Sequence, residues 1–148
     1  MGNKMDTLSL IGLKPHLSRN EWPVFTSTVS AGFPSPADDY IENHIDLNEY
    51  LVQHKAATFF LRVQGDSMTG LGILNNDLLV VDRSLPVRDG NIIIATVDGE
   101  FTVKQLVYSH KGSLLKAANS KYQDIIVDPE NDLEIWGVVR WAIHKLWP

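Results

Sequence analysis

The chain has 148 residues, 44% apolar and 21% charged, the proportions of one soluble globular domain with or without a tail rather than of a disordered chain. Thirteen Lys and Arg against eighteen Asp and Glu leave a net charge of −5, which disfavours a protein that holds DNA mainly through its phosphates. Cysteine is absent, which excludes a disulfide framework, a Cys-ligated zinc site and a thiol nucleophile, and no apolar run approaches the roughly 20 residues that span a bilayer.

Residues 1–31 carry three basic and two acidic side chains, a net of +1. Met1 to Met5 lack the charged-then-apolar layout of a signal peptide, and Asp6 breaks a myristoylation match after Gly2, so the expected location is cytoplasmic. Pro15 and Pro23 interrupt this stretch and no period of 3.6 or 2 is sustained. It reads as an extended N-terminal arm that needs a surface to lie on. Residues 32–44 read as a linker stiffened by Phe33-Pro34-Ser35-Pro36. Residues 45–148 are then the folded domain, and the acidity lies here: residues 32–148 hold ten basic and sixteen acidic side chains, a net of −6.

Within that domain the clearest helix start is Asp46 with Glu49 three residues on, a capping-box pattern ahead of Tyr50, Leu51 and Val52. The rest is rich in β-branched and aromatic residues, which predicts strands over 58–64, 78–81 and 91–97. Asp98-Gly99 joins the third of these to a strand over 100–107, the pairing of residues that most strongly signals a two-residue hairpin. Further strands are expected at 113–117, 125–127 and from Leu133 onward to Trp147. The predicted fold is a compact, mostly β domain of short strands with one short helix.

Chemistry concentrates at Gly65-Asp66-Ser67-Met68, where a serine follows a strand directly and stands among glycines. Such a serine is sterically open, as a nucleophile must be; it can equally be a turn serine bonding its own backbone. The Gly-x-Ser-x-Gly elbow is missed, since Gly70 lies three positions after Ser67, and Asn75 stands where a dinucleotide fingerprint needs a third glycine after Gly70 and Gly72. None of His16, His44, His54, His110 and His144 has a metal-ligand spacing or a triad context, so no metal or cofactor is expected. The other base that serves a serine is a lysine made neutral by burial. Lys104 is the candidate: alternation along the 100–107 strand sets Thr102, Lys104 and Leu106 against Phe101, Val103 and Val107. A solvated lysine guarding a sheet edge is the plainer alternative. To work near neutral pH a buried Lys104 must have its pKa well below the ordinary lysine value, which costs about 1.4 kcal/mol of folded stability for each pH unit.

Taken together, Gly65-Asp66-Ser67-Met68, Asn76-Asp77-Leu78-Leu79-Val80-Val81-Asp82 and Val97-Asp98-Gly99-Glu100-Phe101-Thr102-Val103-Lys104 resemble the self-cleaving serine–lysine peptidase domain of the LexA/UmuD family. The separation of 37 residues between Ser67 and Lys104 fits that group's dyad, and Ala31 to Tyr40 with Ile45-Asp46-Leu47-Asn48 resemble its UmuD-like branch, the SOS mutagenesis proteins. The resemblance runs from about Ala31 to the C-terminus and is weaker in the arm.

The resemblance implies autoproteolysis between Ala31 and Gly32, with Ser67 as nucleophile, Lys104 as general base and the backbone N–H groups of Asp66, Ser67 and Met68 receiving the oxyanion. UmuD-like proteins often carry cysteine at the place of Ala31; alanine there is the repressor-like choice. The implied trigger is a RecA filament on single-stranded DNA, and the shortened product would form a homodimer and join the catalytic subunit of an error-prone translesion polymerase. Trp22-Pro23-Val24-Phe25 resembles the apolar tetrad by which the family's arm contacts the replication sliding clamp; the same residues could instead anchor the arm on its own domain. Direct sequence-specific DNA binding and membrane association are not expected. A LexA-like repressor needs a helix-turn-helix before the cleavage site, and 31 proline-interrupted residues are too few. A type I signal peptidase needs a membrane anchor. From another class, the chain could be a non-catalytic β-rich module that binds polymerase or clamp.

Overall fold

The computed structural model describes residues 20–25, 31–32, 41–110, 112–128, 130 and 132–147. Residues 1–19 and 26–30 of the arm, His16 among them, and the Phe33–Pro36 linker lie outside the described residues. The chain divides into two compact units, Met1–Tyr50 and Leu51–Pro148.

The first unit contains a two-stranded antiparallel ribbon of β1 (Glu21–Phe25) and β2 (Ile41–Asp46), in register from Glu21 opposite Asp46 to Val24 opposite Asn43, with an irregularity before Phe25. Neither strand was expected: 41–44 read as linker, and Pro23 argued against regular structure in the arm. In a two-stranded ribbon every strand is an edge, so Pro23 can sit where no ladder N–H is needed. The helix is where the capping pattern puts it. Asp46 Oδ1 accepts the Asn48 N–H at 2.9 Å at the start of α1 (Leu47–Leu51). Five residues with none buried are all it reaches, and Val52 is not included. A helix this short has little stability of its own.

The second unit is one antiparallel sheet. Its strands are β3 (Thr58–Arg62), β4 (Leu78–Asp82), β5 (Ile92–Val97), β6 (Glu100–Ser109), β7 (Gly112–Lys116), β8 (Ile125–Ile126) and β9 (Leu133–Ile143). They stand in the order β3-β4-β9-β5-β6-β7-β8, so the last strand in the chain lies between β4 and β5. Its pairing slips by one residue against both neighbours, at Val80/Val81 and at Ile94/Ala95, and such bulges sharpen the local twist. Between them Gly137 is required: a Cβ there would stand 2.8 Å from Val81 Cγ1 and 3.0 Å from the Asp82 oxygen.

The continuous apolar run of β5 predicts a strand covered on both faces, and both are covered. Ile94 packs with Val63, Met68, Ile73, Leu79 and Val81, whereas Ile93 and Ala95 pack with Leu106, Leu115 and Val138. Each fully buried Ile or Leu contributes about 1.5–3 kcal/mol. The β5–β6 hairpin closes on Asp98 and Gly99 at φ +50° and +84°, the two positive angles of a type I′ turn, with Val97 opposite Glu100. That turn fixes the register of β6 and sets Lys104 opposite Ile93. No helix among the described residues is long and apolar enough to cross a membrane.

Candidate active site

The segment between β3 and β4 is a loop clipped at its base. The Val63 N–H donates to the Asp77 carbonyl and the Asn76 N–H returns to Val63, both at 2.8 Å. Gly65, at φ +101°, starts the turn with its N–H on Asn75 Oδ1 at 2.7 Å. Met68 is 1% exposed and plugs the core beneath, while Ser67 is half-buried at the surface of the turn. A 3-10 turn over Thr69–Leu71 follows and ends at Gly72.

Lys104 reaches this turn from β6. It is 8% exposed, and its Nζ lies 3.0 Å from Ser67 Oγ and 3.2 Å from the Val103 carbonyl, to both of which it donates. Burial lowers its pKa below the ordinary lysine value. No carboxylate among the described residues pairs with it to hold the charge. A neutral amine at that place accepts the Ser67 Oγ–H through its lone pair, which is the arrangement of a base beside a hydroxyl nucleophile.

The N–H groups of Asp66, Ser67 and Met68 donate to no acceptor among the described residues, while the carbonyls of Asp66 and Ser67 are held: Asn119 Nδ2 donates to the first at 2.9 Å and the Ala118 N–H to the second at 2.8 Å. Gly70 closes the contact, its N–H on the Ala118 carbonyl at 2.7 Å; a Cβ there would lie 2.5 Å from that oxygen. Tyr122 Oη donates to Asp66 Oδ1 at 2.5 Å, and this bond raises the tyrosine pKa. Ala118, Asn119 and Tyr122 went unnoticed in the sequence. They follow β7 in a polar Asn-Ser-Lys-Tyr stretch that reads only as a turn, more than fifty residues from the serine.

The other residues singled out lie in the first unit or apart from this pair. Ala31 and Gly32 are both exposed. Trp22 and Phe25 are each 46% exposed and Val24 37%, so β1 pairs through its backbone while presenting apolar side chains outward. His54 Nδ1 lies 2.6 Å from Oδ2 of the buried Asp82, whose Oδ1 accepts both the N–H and the hydroxyl of Ser84. Burial pushes the Asp82 carboxyl up, but the bonds from Ser84 and His54 outweigh it and hold the pKa below the usual value. An apolar groove of about 400 Å³ between Phe59, Leu61, Phe101 and Trp136 is lined by neither Ser67 nor Lys104.

Residues 23–140 match the Peptidase S24-like family. The chain is 47% identical over 123 residues to Protein ImpA of Escherichia coli, covering 83% of each. It is 48% identical over 123 residues to Protein SamA of Salmonella typhimurium, covering 83% of this chain and 85% of the relative. The LexA repressor of Glaesserella parasuis is 41% identical over 120 residues, which span 79% of this chain and 56% of that protein.

Proposed function

We propose that this chain, which belongs to the Peptidase S24-like family, is a serine peptidase that cuts itself once, between Ala31 and Gly32. The observation that carries this reading is the 3.0 Å approach to Ser67 Oγ of a buried lysine that no carboxylate among the described residues pairs with. A module that merely binds has no use for so costly a lysine, which speaks against the non-catalytic alternative.

In the reaction, Ser67 Oγ attacks the Ala31 carbonyl carbon while its proton passes to neutral Lys104 Nζ. The oxyanion is received by the backbone N–H groups at Asp66, Ser67 and Met68. Collapse breaks the bond to Gly32 nitrogen, which leaves with the proton from Lys104. Water, deprotonated by the neutral lysine, then hydrolyses the Ala31–Ser67 ester. Residues 1–31 are released as the arm, leaving residues 32–148 as the product. Cleavage answers a RecA filament on single-stranded DNA, and the shortened chain acts in the cytoplasm as a homodimeric accessory subunit of an error-prone translesion polymerase in the SOS response. Trp22, Pro23, Val24 and Phe25 give the uncut chain its contact with the sliding clamp.

Incubation of the full chain at alkaline pH, or with RecA filaments, followed by mass measurement, yields a fragment beginning at Gly32. A chain that stays whole under both conditions overturns the reading.

A further inference from the structure

The stretch after β7 carries no group that the reaction consumes, yet four hydrogen bonds join it to Asp66–Gly70: two from the Ala118 backbone, one from Asn119 and one from Tyr122. Two of them hold carbonyls of the nucleophile turn. We propose that Asn119, with the Ala118 backbone, is a positioning residue that aims the oxyanion donors. This inference rests on the reading of the Ser67 and Met68 N–H groups as those donors.

A trans peptide is rigid and flat, with its C=O and N–H pointing opposite ways. The Asp66 carbonyl and the Ser67 N–H belong to one such plane, and the Ser67 carbonyl and the Met68 N–H to the next. Asn119 Nδ2 grips the first carbonyl at 2.9 Å and the Ala118 N–H grips the second at 2.8 Å. Each grip therefore turns the N–H on the far side of its plane away from residues 118–119. The Asp66 carbonyl also accepts the Thr69 N–H, but at 3.4 Å, a long bond that tolerates reorientation of the plane; without the shorter grips from residues 118–119 either plane can turn through paired changes of the flanking ψ and φ. The amide of Asn119 cannot be reversed either, because its Oδ1 accepts the Lys121 N–H at 3.0 Å and only Nδ2 can face a carbonyl. Asn119 is half-buried and spans 53 residues of sequence to reach Asp66. Tyr122 differs: it holds the Asp66 side chain and no peptide plane.

The test is the pH profile of self-cleavage in the full chain for the unmodified protein, Asn119→Ala, Asn119→Asp and Tyr122→Phe, with melting temperatures beside it. Asn119→Ala is expected to lower the plateau rate at high pH on the order of 10²-fold, the lower end of what loss of an oxyanion donor costs, while the pH midpoint set by Lys104 stays put. Asn119→Asp keeps the acceptor for Lys121 and loses the donor to Asp66, so its plateau falls similarly; it decides the matter should the alanine variant not fold. Tyr122→Phe is expected to keep the plateau within about twofold, since no oxyanion donor is turned by its loss. A folded Asn119 variant that cuts at the unmodified plateau, with only its melting point lowered, overturns the inference and leaves self-cleavage standing. So does a Tyr122→Phe loss as large as that at Asn119. An unmodified chain that never cuts takes down both.

Discussion

At Gly70 a Cβ atom would stand 2.5 Å from the Ala118 carbonyl oxygen, whereas at Gly32 it would meet nothing within 4 Å among the described residues. The first glycine belongs to a turn pressed against its own fold, clipped at its base and gripped by residues 118–122. The second belongs to an exposed dipeptide whose lack of a side chain is not required by packing. The contrast teaches where control has to act. Under the proposed reaction, Ser67 stands in a turn the fold already holds, so a trigger would gain most by delivering the Ala31–Gly32 segment rather than by building the site.

The largest test of the ready turn is removal of its chemistry. Ser67→Ala and Lys104→Met are each expected to lower self-cleavage by about 10⁴-fold or more, measured as fragment appearance by mass. Lys104→Met has a second expected outcome of opposite sign. Because the folded pKa of Lys104 lies below its unfolded value, the charged form is penalised at low and neutral pH. The penalty fades as pH rises from the folded pKa to the unfolded one. The variant is therefore as stable as the parent or more so at neutral pH, and the difference in chemical-denaturation stability shrinks toward alkaline pH. Cleavage by the parent rises with pH through the same folded pKa, and a flat profile counts against a lysine base.

Gly70→Ala comes next. The added methyl must push against backbone, with an expected loss of about 1–3 kcal/mol by denaturant titration and slowed cleavage through displacement of the turn. Gly32→Ala, at the open position, is expected to change stability by less than about 0.5 kcal/mol. If both alanines prove equally disruptive to the fold, the contrast between the two regions is lost. The smallest effect on the reaction is expected at His54→Ala. Loss of its bond to Asp82 costs about 1–2 kcal/mol of stability and leaves the cleavage rate unchanged, because the pair lies outside the Ser67–Lys104 contact.

What could be read from residues alone was local or periodic. Asp98-Gly99 announced the turn that sets β6 in register, Asp46 announced a helix start, and the alternation around Lys104 put it with Leu106, which the fold buries. The serine and lysine could be singled out as candidates because each stands in such a local pattern. The β1–β2 ribbon escaped notice because Pro23 masks a strand whose partner lies some twenty residues away. The place of β9 escaped it too, since strand order depends on which edges meet and not on spacing. The grip of Ala118 and Asn119 on the nucleophile turn depends on backbone carbonyls, which every residue has, so no side-chain pattern marks it.

The position of β9 also bears on time. Ser67 stands on the loop between β3 and β4, Lys104 on β6, and in the sheet these lie on opposite sides of β9. The ribosome delivers β9 after both. Until it docks, the sheet is two ladders, β3-β4 and β5-β6-β7-β8, with the serine on one and the lysine on the other. A nascent chain thus already carries Ser67 and Lys104 while the sheet between their strands is unfinished. Under the proposed reaction, a full-length sheet is therefore a late event of synthesis, set by the strand made last.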